Sequence, residues 1–248
     1  MSDSSRYGAS FADVYDDWYG DRPFEELAAF VSQRCGARRE VLELGVGTGL
    51  MAEALTNHSM RVVGMDASAA MLEKLTEKPH LSAVTALLGD VSDPAQYPQA
   101  KFGAILAVFN LLANLTGDGA PQRCFTAVAD HLSSDGVFVV ESFVPAPLLE
   151  RERSLETRSV DNDRVVLIAS EADPQTRIVH GAHLEFSADG SVFRPWQVRL
   201  ISIEELDALA TTAGLHLIER FEDVSLTPFV DGESTHHLSV YAARRGIR

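Results

Sequence analysis

The sequence predicts an α/β fold: a doubly wound, mainly parallel sheet, with a β-meander inserted late in the chain and an antiparallel strand at its C-terminal end. Three observations carry this. Short apolar runs alternate with helical stripes through the first 145 residues, the pattern of strands buried on both faces and joined by crossover helices. A glycine-rich turn, Gly45 to Gly49, falls where the first apolar run gives way to a helix. After Pro147 the rhythm changes to β-rich stretches separated by turn residues.

The elements follow in order. Asp21-Arg22-Pro23 reads as a cap and an early-turn proline, before a helix whose stripe is Leu27, Phe30 and Val31. Val41–Leu44 is a buried strand leading into the glycines, and a helix runs from Leu50 to about Thr56. Arg61–Met65 is the second strand, after which Ser68 caps a helix through Lys74. Leu81–Leu88 is the third strand and Phe102–Phe109 the fourth. Pro121–Leu132 is a helix ended near Gly136, and Val137–Glu141 is the fifth strand. Then Arg164–Ser170, Arg177–Phe186 and Ser191–Ile201 form a three-stranded meander, separated by Asp173-Pro174 and Ala188-Asp189-Gly190. Ser202 with Glu205 is a capping box opening a helix that stops at Gly214. Two strands, Leu215–Arg220 and His237–Ala243, close the chain. The reading is one domain over residues 1–248, with a helical N-terminal lid at 1–35 and the insertion at 151–201.

Composition sets the outer bounds. Hydrophobic residues are 46% and charged residues 23% of the chain, ordinary for a globular protein rather than a disordered or fibrous one. The net charge of −15 argues against a phosphate-tracking surface, so no nucleic-acid partner is expected. No apolar run reaches a membrane span, and the N-terminus lacks the apolar core of a signal peptide. No membrane partner is expected, and a cytoplasmic location is. Cys35 and Cys124, the two cysteines, are too few for a disulfide framework or a thiolate metal site. His180 and His183 fall on opposite faces of one strand, and no histidine has zinc-site spacing. No metal is expected.

The chemistry concentrates at strand ends. Glycines at a strand-to-helix turn let backbone approach a ligand closely. Asp66 closes the second strand, where a carboxylate can accept from both hydroxyls of a ribose. Asp90 follows the third strand, and Glu43 stands two positions before Gly45. A dinucleotide fingerprint wants G-x-G-x-x-G, but Leu50 holds the place of its last glycine. A P-loop is excluded because no Gly-Lys-Ser/Thr follows.

The combination VLELGVGTGL, VVGMDASAAML and LLGDVSDP resembles the class I S-adenosylmethionine-dependent methyltransferases, over roughly the whole chain. The resemblance implies a Rossmann-like methyltransferase sheet and S-adenosyl-L-methionine as cofactor. It implies that Gly45, Gly47 and Gly49 line the methionine part and that Glu43 holds their loop. It further implies Asp66 on the ribose hydroxyls, Ala67 and Met71 beside the adenine, and Asp90 and Val91 on the adenine amino edge. Phe109 and Asn110 would sit near the sulfonium.

A narrower likeness joins Tyr7 and Ala12-Asp13-Val14-Tyr15-Asp16 to the N-terminal lid of nucleotide-linked amino-sugar N-methyltransferases. Val140-Glu141-Ser142-Phe143, the meander and Arg199-Leu200-Ile201 are similar to that group as well. It implies that Tyr7 and Tyr15 contact the cofactor or substrate, although Phe11, Tyr15, Trp18 and Tyr19 equally fit a packed helix. A histidine expected after the fourth strand is Asn114 here. Asparagine can orient a nucleophile but cannot take its proton.

The expected activity is methyl transfer to nitrogen or oxygen of a small-molecule metabolite, with Tyr7 and Asn114 at the reacting atoms. Phe143, His183 and Arg199 are the expected substrate contacts, Arg199 through a phosphate or carboxylate. A nicotinamide-dependent oxidoreductase and a non-catalytic cofactor-binding protein are the alternatives, and a homodimer is left open.

Overall fold

The computed structural model describes residues 3–145 and 152–243. The N-terminal part holds helices α1 (Asp3–Phe11), α2 (Tyr15–Tyr19) and α3 (Phe24–Ser32). The sheet layer then follows as β1 (Glu40–Leu44), α4 (Leu50–Asn57), β2 (Arg61–Asp66), α5 (Ala69–Thr76), β3 (Thr85–Leu88), β4 (Phe102–Ala107), α6 (Ala120–His131) and β5 (Leu132–Phe143). An antiparallel unit comprises β6 (Arg153–Val160), β7 (Arg164–Asp173), β8 (Ile178–Ser187) and β9 (Gly190–Arg199). Helix α7 (Ile203–Thr212) and strands β10 (Leu215–Phe221) and β11 (His236–Ala243) complete the described chain.

The seven-stranded sheet has the order β3-β2-β1-β4-β5-β11-β10. Strands β1 to β5 pair in parallel, and β11 runs antiparallel to both β5 and β10. Sequence order reverses between β1 and β4, so the carboxyl ends of these neighbours splay their connections apart and leave a crevice. Alternation along β1 divides the core: Val41 packs in the layer of α3 and α4, and Leu42 and Leu44 in the layer of α6 and α7. Glu43 shares the face of Val41, and at 3% exposure it is a carboxyl in an apolar layer. No helix among the described residues is long and apolar enough to cross a membrane.

Several expectations need correction. The third strand begins at Thr85; Pro79–Leu81 is a 3-10 turn because proline sets that corner. The fifth strand is longer at both ends than Val137–Glu141, starting at Leu132 where α6 stops and running to Phe143. Asp21 caps nothing: Pro23 is itself the N-cap of α3, with no side-chain bond. Ser202 does accept from the Glu205 N–H, but the Glu205 carboxylate pairs with Arg177 at 3.0 Å, so α7 carries half a capping box.

The inserted unit has four strands, not three. Strand β6 is an outer strand on which Arg153, Leu155, Glu156 and Thr157 are exposed. Residue 151, where the insertion was expected to begin, lies outside the described residues. The unit is fastened to the N-terminal helices by charge and rings. Arg194 makes a two-pronged bond to Asp13 at 2.7 and 2.9 Å and a further bond to the Ser10 carbonyl. Arg158 donates to the Trp18 carbonyl at 3.0 Å and lies over the Trp18 and Tyr19 rings.

Gly181 of β8 faces Trp196 of β9, and the indole covers it so closely that an added Cβ would overlap the ring. Gly181→Ala is therefore expected to displace Trp196 and destabilise the protein by about 1–3 kcal/mol. A lowered urea midpoint with altered tryptophan fluorescence is the expected readout; an unchanged midpoint and spectrum would show that the ring moves aside freely.

Candidate active site

A cavity at the reversal between β1 and β4 holds about 870 Å³ of space, counted to its open mouth. The β1–α4 turn forms one wall. Gly45 and Gly47 have φ of +70° and +55°, and the turn is braced by Asp66 at the end of β2. One Asp66 oxygen accepts from the Gly47 N–H at 2.9 Å and the other from the Ser68 N–H at 2.8 Å. Burial pushes the Asp66 carboxyl up, against the lowering effect of these N–H groups. Glu43 is pushed well up, by burial and then by the charge of Asp66. Its Oε2 is buried without a hydrogen-bond partner among the described residues.

Helices α1 and α2 supply the facing wall with Tyr7, Gly8 and Tyr15. Burial raises the Tyr7 hydroxyl well above its ordinary range, with Tyr19 and Tyr15 adding to it. Tyr15 is pushed up to about 12, again chiefly by burial. Asp16 anchors this wall to the glycine turn: it accepts from Thr48 Oγ1 at 2.5 Å and pairs with Lys78 at 2.6 Å, and Lys78 also donates to the Thr48 carbonyl. Sequence reading missed this anchor because Thr48 and Lys78 are both distant from Asp16 along the chain, leaving no local pattern.

A second cavity, of about 590 Å³, opens between α1 and the inserted sheet. Arg6, His180, Pro195, Trp196 and Gln197 line it together with Tyr7 and Asn114. Tyr7 and Asn114 also line the first cavity, so the two spaces share these two side chains.

The predicted residues thus divide. Tyr7, Tyr15, Glu43, Gly45, Gly47, Asp66, Ala67, Met71, Val91, Phe109 and Asn114 are brought together around the first cavity. Gly49 is not in its lining; with φ +90° it opens α4 and packs against Leu75 and Leu81. Asp90 is not either, and its carboxylate accepts from the Ser92 N–H at 2.8 Å. Phe109 and Asn110 both take left-handed backbone, φ +54° and +64°, an uncommon conformation for a bulky side chain. It is held by Glu141, whose carboxylate accepts from the Phe109 N–H and whose carbonyl accepts from the Asn110 N–H. The Asn110 amide oxygen turns away to accept from Ser142 Oγ and the Phe143 N–H, at 3.1 and 2.9 Å.

The three expected substrate contacts lie elsewhere than either cavity. His183 is buried among Phe11, Trp18 and Trp196, with ring centroids 5.2, 5.3 and 6.3 Å away. Burial and then the charges of Arg158 and Arg194 lower it to about 4. The odd spacing does separate it from His180, but the face it takes meets α1 and α2, while His180 takes the cavity. Phe143 and Arg199 line a small recess behind the β4–α6 turn, where Arg199 donates to the Thr116 carbonyl at 3.1 Å. Among the described residues no group of three or more side chains is placed to hold a metal ion.

Comparison with known proteins agrees with this geometry. Residues 41–136 match the family model described as a methyltransferase domain. The solved CcbJ methyltransferase from Streptomyces caelestis is 35% identical, with 97% of this chain and 99% of that one covered and a TM-score of 0.90. The cypemycin N-terminal methyltransferase of a Streptomyces species is 28% identical over 227 residues, covering 88% of this chain and 89% of that protein. The sugar N-methyltransferase KedS8 from Streptoalloteichus sp. shares the fold, with a TM-score of 0.71 at 20% identity over 94% of this chain and 92% of that one. The chain belongs to the S-adenosylmethionine-dependent methyltransferases.

Proposed function

We propose that this enzyme methylates an amine nitrogen of a small molecule, which occupies the second cavity while S-adenosylmethionine occupies the first. The observation that carries the reading is the shared wall: Tyr7 and Asn114 line both spaces. A group bound in one space and a group bound in the other both lie against these two side chains.

The first cavity fits the cofactor on its own terms. An unpartnered buried carboxylate oxygen on Glu43 leaves an acceptor for a cationic or N–H group, since such atoms in native proteins normally find a partner. Asp66 keeps acceptor capacity beyond its two N–H partners, enough for ribose hydroxyls. Tyr7, Tyr15 and Phe109 bring aromatic rings to the wall, where a bound cation gains from them. When bound, S-adenosylmethionine supplies a methyl group on a positively charged sulfur, already activated for displacement.

What remains for the protein is orientation and exclusion of water. The raised Tyr7 hydroxyl stays protonated near neutral pH and serves as a hydrogen-bond donor or acceptor. The Asn114 amide oxygen accepts an N–H and so turns a neutral amine's lone pair toward the cofactor, without removing a proton. Among the described residues no carboxylate lines the second cavity, so no acid in that lining holds an amine as ammonium. The name of the cypemycin relative, an N-terminal methyltransferase, points to nitrogen as well. Feeding ¹³C-methyl S-adenosylmethionine with a panel of amine and hydroxyl metabolites tests this. An N-methyl ¹³C signal is expected, and an O-methyl signal as the main product would refute it.

Asp66→Ala removes the brace of the glycine turn as well as the proposed ribose acceptor. Loss of about 10–100-fold in S-adenosylhomocysteine affinity by calorimetry is expected, with Asp66→Asn milder. Wild-type affinity in the alanine variant would remove Asp66 from the site.

Glu43 gives a prediction of opposite sign for stability. Its carboxyl is raised in the folded protein above its ordinary 4.5, so the folded state holds the proton more tightly than the unfolded state. Its contribution to stability is therefore lost as pH rises from about 4.5 through the raised folded value. Glu43→Gln lacks this loss. The variant should melt higher than wild type without ligand, by a margin that grows with pH over this window, and should bind cofactor more weakly. A margin independent of pH would show that Glu43 is not a strained buried acid.

A further inference from the structure

We propose that Thr116 is a positioning residue through which the inserted sheet sets the place of Asn114 at the junction of the two cavities. The inference rests on the amine reading for its chemistry, and on geometry of its own for the linkage.

Asn114 ends a 3-10 turn, Leu111–Asn114, that follows β4. Leu112, Ala113 and Leu115 are buried and fix the turn from the core side. On the other side the chain leaves the core at once: Gly117, Asp118 and Gly119 are exposed, and Gly119 opens α6 with φ +65°. Thr116 is the last half-buried residue before this exposed stretch.

Strand β9 grips Thr116 with two donors. Gln197 Nε2 bonds its hydroxyl at 3.2 Å and Arg199 Nη2 bonds its carbonyl at 3.1 Å. The two donors stand two residues apart, on one face of one strand. The strand end beneath them is itself held, by pairing of Arg199 with Ile178 and by the bond from the Leu200 N–H to the Arg177 carbonyl.

Gln197 is the informative member, because it also lines the second cavity beside Asn114 and Trp196. A substrate seated against β9 therefore presses on the strand that holds Thr116, two residues from Asn114. Arg199, expected from sequence to touch substrate, acts here on the turn instead. Substrate docking on the inserted sheet and alignment of the Asn114 amide become one event.

Thr116→Val keeps the shape and removes the hydroxyl, and Thr116→Ser keeps the hydroxyl. With an amine acceptor found by the ¹³C panel, Thr116→Val should lower kcat about three- to tenfold, the loss of one hydrogen bond. S-adenosylhomocysteine affinity should stay within about twofold, and Thr116→Ser should recover most of kcat. Gln197→Ala should cost a similar factor, and the double variant Thr116→Val/Gln197→Ala little more than either alone. Multiplicative losses, or equal losses in the valine and serine variants, would overturn the proposal.

Amide hydrogen exchange over residues 111–116 in the S-adenosylhomocysteine complex needs no acceptor and separates this proposal from the amine reading. Faster exchange in Thr116→Val, with wild-type rates in Thr116→Ser, supports the clamp even if the methylated atom proves to be oxygen. Unchanged exchange in the valine variant overturns it even if the amine reading stands.

Discussion

The site depends on one carboxylate, Asp66, and on where the sheet puts it. Strand β2 pairs with β1 through Leu44 and Met65, which brings the end of β2 beside the glycine turn. There Asp66 takes the Gly47 and Ser68 N–H groups. The first holds a turn whose glycines sit at positive φ, and the second fixes the start of α5, where Ser68 caps the helix. Remove this carboxylate and the turn loses the acceptor opposite the Gly47 N–H. Glu43 stands behind it as a second buried acid, raised in part by the Asp66 charge. Two acids in one wall are unfavourable by themselves. Under the proposed function, a ligand carrying cationic and hydroxyl groups would offset that cost.

Around that fixed wall the remaining parts are fastened in series. Asp16 ties α2 to the glycine turn through Thr48 and Lys78. Asp13 ties the preceding loop to Arg194 of the inserted sheet, and His183 fills the aromatic contact between them. The N-terminal helices are thus clasped on one side by the glycine turn and on the other by the inserted sheet. Tyr7, carried on α1, reaches both cavities for that reason. The acidic chain uses its arginines inside this seam, where planar two-pronged geometry suits carboxylates.

Much of this was legible in the sequence. The glycine turn, Asp66 and the Ser68 cap are local, since each depends on a strand end and a few residues after it. A doubly wound sheet with its crevice at the carboxyl ends of the strands is what the helix–strand alternation predicts, and the strand order places that crevice between β1 and β4. The rest was not legible, for particular reasons. Strand β6 is exposed and polar over most of its length, so no alternation marked it. The two-residue period separates His183 from His180 and Arg199 from Trp196, but it does not say what lies opposite each face. For His183 it is α1 and α2; for Arg199 it is the Thr116 turn. Asn110 sits beside the cavity wall, yet its amide is committed to Phe143 and Ser142. Asn114, which stands where a histidine was expected, is the residue whose position gained most meaning from the structure.

That departure makes the central claim measurable. If Asn114 and Tyr7 only orient an amine that arrives with its lone pair free, no enzyme base limits the reaction. The pH profile of kcat/KM should then rise with a single limb that moves with the pKa of the acceptor amine across a series of acceptors. His180, at the exposed rim of the second cavity, is the imidazole in a position to act otherwise. A limb that stays fixed across acceptors and disappears in His180→Ala would contradict the account and assign the chemistry to a base.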